Sequence, residues 1–163
     1  NYESLKDNSV HALDLLYYLS PDLRLSYVMD YKQPKSGFGK IVLLKSNQNN
    51  CVVNFNWNSP SNFSLSIEAL PYRLELLPFE KYKLYKGMDV NEPSVNFPVR
   101  QYMPKIISES NVFNEDKTCK PGFLAQAREF FEFVNGKTPK ISADLRDAFK
   151  VSSLAYNIIN FNC

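Results

Sequence analysis

Hydrophobic and polar positions along this chain change period twice. Val10, Leu13, Leu16 and Tyr17 recur at helical spacing and Pro21 follows, so a helix is expected from about Asn8 to Leu19. From Leu23 the period falls to two. Leu23, Leu25, Tyr27 and Met29 line one side of a strand reaching Tyr31, and Gln33-Pro34-Lys35-Ser36-Gly37 reads as a turn. Lys40 to Lys45 is a short apolar strand. Val53, Phe55 and Trp57 alternate with Asn54, Asn56 and Asn58, and Phe63, Leu65, Ile67 and Ala69 with Ser64, Ser66 and Glu68. Tyr72, Leu74 and Leu76 alternate with Arg73 and Glu75, and Tyr82 and Leu84 with Lys81, Lys83 and Tyr85. Turn-rich breaks fall at 47–50 and 58–62. The pattern weakens from Asp89 to Pro98, where Pro93 and Pro98 mark an excursion. Helical spacing then returns. Pro121 opens a stripe of Leu124, Ala127, Phe130, Phe131 and Val134, and Gly136 stops it. Ser142 is placed to cap a last helix carrying Leu145, Ala148, Val151, Ala155 and Ile158.

Helix, many strands, then two helices is an α+β order. It predicts one domain over residues 1–163: an open-faced, mostly antiparallel sheet with helices packed on one face. The other face meets solvent or a second copy of the chain.

Composition changes this picture little. With 163 residues, 44% hydrophobic and 22% charged, the chain has the profile of a globular domain with a real core. A net charge of +2 points to neither nucleic acid nor an anionic membrane. No apolar run approaches the roughly 18 residues of a membrane span, and Asn1-Tyr2-Glu3-Ser4 does not open a signal peptide. The chain reads as a piece of a longer protein. Cys51, Cys119 and Cys163 are isolated and form no CxxC pair, which fits a reducing, cytoplasmic compartment.

Several chemistries lack their residues. Gly37-Phe38-Gly39 is the only GxG, and Val42 stands where a dinucleotide fingerprint needs its third glycine. There is no P-loop, no GxSxG elbow and no carboxylate cluster with metal-ligand spacing, and one histidine excludes a multi-histidine metal site. That histidine, His11, lies four residues after Asp7 in Asp7-Asn8-Ser9-Val10-His11. On a helix this spacing puts both on one face, and a carboxylate beside an imidazole suits a proton carrier near neutral pH. The plain alternative is that Asp7 caps a helix and His11 is a surface residue. Trp57 either stacks on a sugar or belongs to the core. Lys81, Lys83 and Lys86, interleaved with Tyr82 and Tyr85, are either a nucleic-acid stripe or a lysine-guarded strand edge.

Two stretches together resemble one family. Asp7-x-x-x-His11-x-x-Asp14-Leu15 is similar to the motif opening the C-terminal domain of the glucose–fructose oxidoreductase / inositol dehydrogenase family (Gfo/Idh/MocA). The stretch from Gly122 to Lys137, opening Gly122-Phe123-Leu124-Ala125-Gln126-Ala127, with Ile141-Ser142-Ala143-Asp144-Leu145-Arg146-Asp147-Ala148 beyond, resembles the paired helices that close that domain. Asn54-Phe55-Asn56-Trp57-Asn58-Ser59-Pro60 is similar to members from surface-polysaccharide pathways. The resemblance implies an open-faced sheet domain that shapes a sugar or nucleotide-sugar site and makes oligomer contacts. NAD or NADP and the family's Glu-Lys-Pro lysine belong to a separate Rossmann domain. No Glu-Lys-Pro occurs here, since Glu80-Lys81-Tyr82 is not one. The chain alone is therefore expected to be inactive and to bind no cofactor.

By the same resemblance His11 takes the substrate's hydroxyl proton and Asp7 orients it or binds a hydroxyl, while Asp14 is structural. Trp57, Asn58 and Asn62 are expected over the sugar. No nucleic-acid or membrane partner is expected. A non-catalytic sugar-binding or dimerisation module is the alternative.

Overall fold

The computed structural model describes residues 5–33, 37–57, 59–112, 119–138 and 143–161. A π-helical turn, Leu5–Ser9, leads into α1, Val10–Leu19. Seven strands follow: β1 Arg24–Gln33, β2 Gly37–Lys45, β3 Asn50–Asn56, β4 Leu65–Ala69, β5 Tyr72–Leu76, β6 Lys81–Asn91 and β7 Gln101–Asn111. Helices α2, Phe123–Val134, and α3, Leu145–Ile159, close the order. The fold is α+β, and every described strand pair is antiparallel. The strands form two sheets, β1-β2-β3 and β4-β5-β6-β7. The chain falls into two compact units, one of residues 1–60 and 141–163, the other of 61–140. The boundary follows the turn-rich break at 58–62. Residues 34–36 of the expected turn, and Ser142, lie outside the described residues.

In the first unit α1 and α3 cover one face of the three-stranded sheet. Leu13 of α1, Val28, Val42, Leu44 and Phe55 of the strands, and Val151, Leu154, Ala155 and Ile158 of α3 form its core. The last helix buries its residues at three- and four-residue spacing, as an amphipathic helix does; its first expected apolar positions, Leu145 and Ala148, are exposed. Alternation in β3 holds, with Cys51, Val53 and Phe55 inward and Val52, Asn54 and Asn56 outward. Alternation in β1 does not run unbroken. Leu25 pairs with Leu44 and Tyr27 with Leu43, so Ser26 is an extra residue and the phase flips there. Leu23 and Val28 are buried, whereas Tyr27 and Met29, expected beside Leu25, point outward. The outer face therefore gathers Tyr27, Met29, Ile41, Leu43 and Val52 into an apolar patch, with the polar Asn54 and Asn56 further along β3. Tyr31 lies across Gly39, its register partner, and its hydroxyl donates to Asn54 Oδ1 at 2.9 Å on the next strand but one. A Cβ at position 39 would collide with that ring.

In the second unit Leu65, Ile67, Leu74, Leu76, Tyr82 and Leu84 share a half-buried face. The expected excursion is the 92–100 connection, closed by Arg100 donating to Glu92 at 2.7 Å. Strand β7 carries no clean alternation. Leu84 pairs with Ser108 and Tyr85 with Ile106, leaving Ile107 as a bulge, and Gly87 at φ 65° serves the compensating bulge in β6. Pro104 lies on β7, an edge strand, the kind of strand to which proline within a sheet is confined. The apolar stripe of α2 forms as a helix but stays open to solvent: Phe130 is 67% exposed and Phe131 69%.

Asp144, not Ser142, occupies the N-cap of α3. Its Oδ1 accepts from the N–H of Arg146 at 2.7 Å and of Asp147 at 3.0 Å, and its own N–H donates to Asp147 Oδ2 at 3.2 Å. These backbone donors, Asp147 first, hold the Asp144 carboxyl below its usual range. A depressed carboxylate stabilises the fold above its unfolded pKa and loses that contribution as pH falls through the folded one. Asp144→Ala is thus expected to lower the melting temperature at neutral pH. Below about pH 4 the wild-type and variant melting curves, followed by circular dichroism, converge. A constant gap across that range would show that the cap carboxylate is not the cause.

Candidate functional site

The π-helical turn and α1 share one inward line. Leu5, Ser9 and Leu13, four residues apart, are all buried. His11 lies two residues from both Ser9 and Leu13, about 200° around the helix axis, and is exposed on the first turn of α1. Its side of the helix is open to solvent while the opposite side is anchored by Leu5, Ser9 and Leu13. Asp7 stands within the π turn; the residue before α1 is Ser9, which has helical φ and ψ and makes no side-chain cap bond. The Asp7 side chain lies outside the described residues. Asp14 is exposed.

Trp57 follows β3 and belongs to the same unit. Its ring stacks on Phe55, with centroids 5.8 Å apart and planes at 7°, and packs against the core. Its Nε1–H donates to Ser9 Oγ at 3.3 Å. The structure thus brings Trp57 to the segment bearing Asp7 and His11, in contact with its buried side. Asn58 lies outside the described residues. Asn62 belongs to the second unit and lines a hollow of about 180 Å³ beside the stacked rings of Phe63 and Phe79. Ser9 was not singled out by the sequence. The available signal was its place four residues from both Leu5 and Leu13.

The second unit carries a polar sheet face of its own. Register places Ser66, Glu75, Lys83 and Glu109 in one row across the four strands. Beside that row Arg73 Cζ lies 4.4 Å from the Tyr85 ring centre, and Tyr85 Oη donates to Glu75 at 2.9 Å. Glu75, Leu77, Lys81, Lys83, Glu109 and Asn111 line a cleft of about 700 Å³. The lysines expected at a strand edge lie on β6, an interior strand. They do not form a uniform basic stripe. Lys83 is flanked by two carboxylates, and Lys86 lies on the opposite face, 5.3 Å from the Tyr72 ring centre.

Among the described residues no three His, Cys, Asp or Glu side chains cluster as a metal site requires, and no helix is long and apolar enough to cross a membrane. Burial pushes the Cys51 thiol up, away from reactive thiolate character. A dinucleotide's pyrophosphate sits where a glycine turn links a strand to a helix. Gly37 and Gly39 instead lie inside β2. Comparison with protein-family models, with curated proteins and with solved structures returned no match.

Proposed function

We propose that this chain is the substrate-binding and oligomerisation domain of an NAD(P)-dependent oxidoreductase acting on a hydroxyl of a sugar or nucleotide sugar. The observation that carries the reading is His11. It is exposed on the first turn of a helix whose opposite side is anchored by Leu5, Ser9 and Leu13. In this reading His11 receives the substrate's hydroxyl proton, with Asp7 one helical step before it. The nicotinamide belongs to a separate domain. The apolar outer face of β1, β2 and β3 is the surface offered to a second copy. The three isolated cysteines fit a cytoplasmic setting.

Titrating NADH onto this chain, followed by NADH fluorescence, is expected to show no saturable binding. Saturable binding at micromolar concentration overturns the division into two domains. A non-catalytic sugar-binding module is the second reading, and the cleft of the second unit favours it. That cleft offers carboxylate acceptors and ammonium donors together, the mixture a neutral polyhydroxylated ligand needs. Turnover of His11 variants, argued in the Discussion, separates the two readings.

A further inference from the structure

The head of α1 is wound in two ways. In an α-helix a step of four residues overshoots one turn by about 40°. A π turn bonds i to i+5, is wider, and undershoots. Leu5 to Ser9 takes the π step and Ser9 to Leu13 the α step. The offsets oppose each other, so all three residues face the core, at 0%, 3% and 0% exposure. Rewinding the π turn as α-helix would rotate Leu5 and Leu13 out of line, and packing both again would turn His11 about the axis. Isolated π turns are rare and persist where their surroundings over-determine them. Here the surroundings include a polar latch. The Trp57 indole, held by its stack on Phe55, donates its N–H to Ser9, the last residue of the π turn. Because Ser9 is buried, little water competes for that bond.

We propose that Trp57 is a positioning residue: through Ser9 it holds the π-to-α junction and thereby sets where His11 stands. The inference rests on the reading of His11 as proton carrier. It gives Trp57 a role other than stacking on the sugar.

His11 is the sole histidine and Trp57 the sole tryptophan, so each ring gives a single set of NMR signals in the full chain. Trp57→Phe and Ser9→Ala each remove the latch. Ser9→Ala leaves the indole in place, so a shift common to both does not come from a lost ring current. Both are expected to move the His11 ring signal in the same direction and to speed amide exchange over residues 9–13 roughly five- to tenfold, as loss of one buried hydrogen bond does. Val53→Ala thins the same core while leaving the indole N–H and its stack on Phe55, and is expected to leave the His11 signal in place. An unmoved His11 signal in the first two variants, or an equal movement in Val53→Ala, overturns the proposal. If one latch variant fails to fold, the other carries the test. Failure of the catalytic reading is distinguishable: it appears as undiminished turnover in His11→Ala, with the coupling of Trp57 and Ser9 to the His11 signal intact.

Discussion

Replacing His11 by alanine is expected, on the proposed function, to lower turnover by about 10²–10⁴-fold in an enzyme that would join this domain to a nicotinamide-binding one, the usual range for losing a general acid–base. Nicotinamide affinity is expected to hold, since the proposed function puts His11 outside the nucleotide-binding domain. Asp7→Asn keeps shape and a hydrogen bond but loses the charge that favours imidazolium, so it is expected to cost less. The two changes are not additive: with the imidazole gone Asp7 has nothing to orient, and the double variant behaves as His11→Ala. Steady-state kinetics on the three variants with a sugar substrate is the measurement. Near wild-type turnover in His11→Ala would return His11 to an ordinary surface residue of α1, and the non-catalytic reading would stand.

The second large effect concerns assembly. The chain is expected to sediment as a dimer or tetramer at micromolar concentration, and Met29→Glu to sediment as a monomer. Met29 lies between Tyr27 and Ile41 on the outer sheet face and is 44% exposed, so a glutamate there is solvated in the free chain. Within an apolar interface the same carboxylate is buried without a partner, at a cost of several kcal/mol, or more than about 10²-fold in dissociation constant. Gel filtration would show the same change. A wild-type monomer at that concentration, or a Met29→Glu variant that still assembles, would remove this face as the contact.

Much of this architecture was legible from periodicity alone. The alternation of Val53 and Phe55 against Asn54 and Asn56 survives intact in β3, because a strand's period of two follows from backbone geometry and needs no partner. The helices α1 and α2 lie where the stripes and their stops put them, and the α+β class follows from the order. Strand β7 escaped the reading. Pro104 interrupts it, Ile106 and Ile107 are consecutive, and an edge strand with a bulge keeps no single apolar face.

The sequence by itself determined every element but β7, the class and the two residues on which a proton-carrier reading rests, because each of those depends on neighbours a few positions apart. Tertiary structure alone decided the rest. The extra residue at Ser26 reverses which of Leu25 and Tyr27 faces the core, and only the register against Leu44 and Leu43 reveals it. The partition of seven strands into two sheets depends on which backbone groups find one another, which alternation does not encode. Trp57 reads equally as core or as sugar platform in one dimension. Its bond to Ser9, 48 residues earlier, ties it to the head of α1, a contact between distant residues that no local pattern contains.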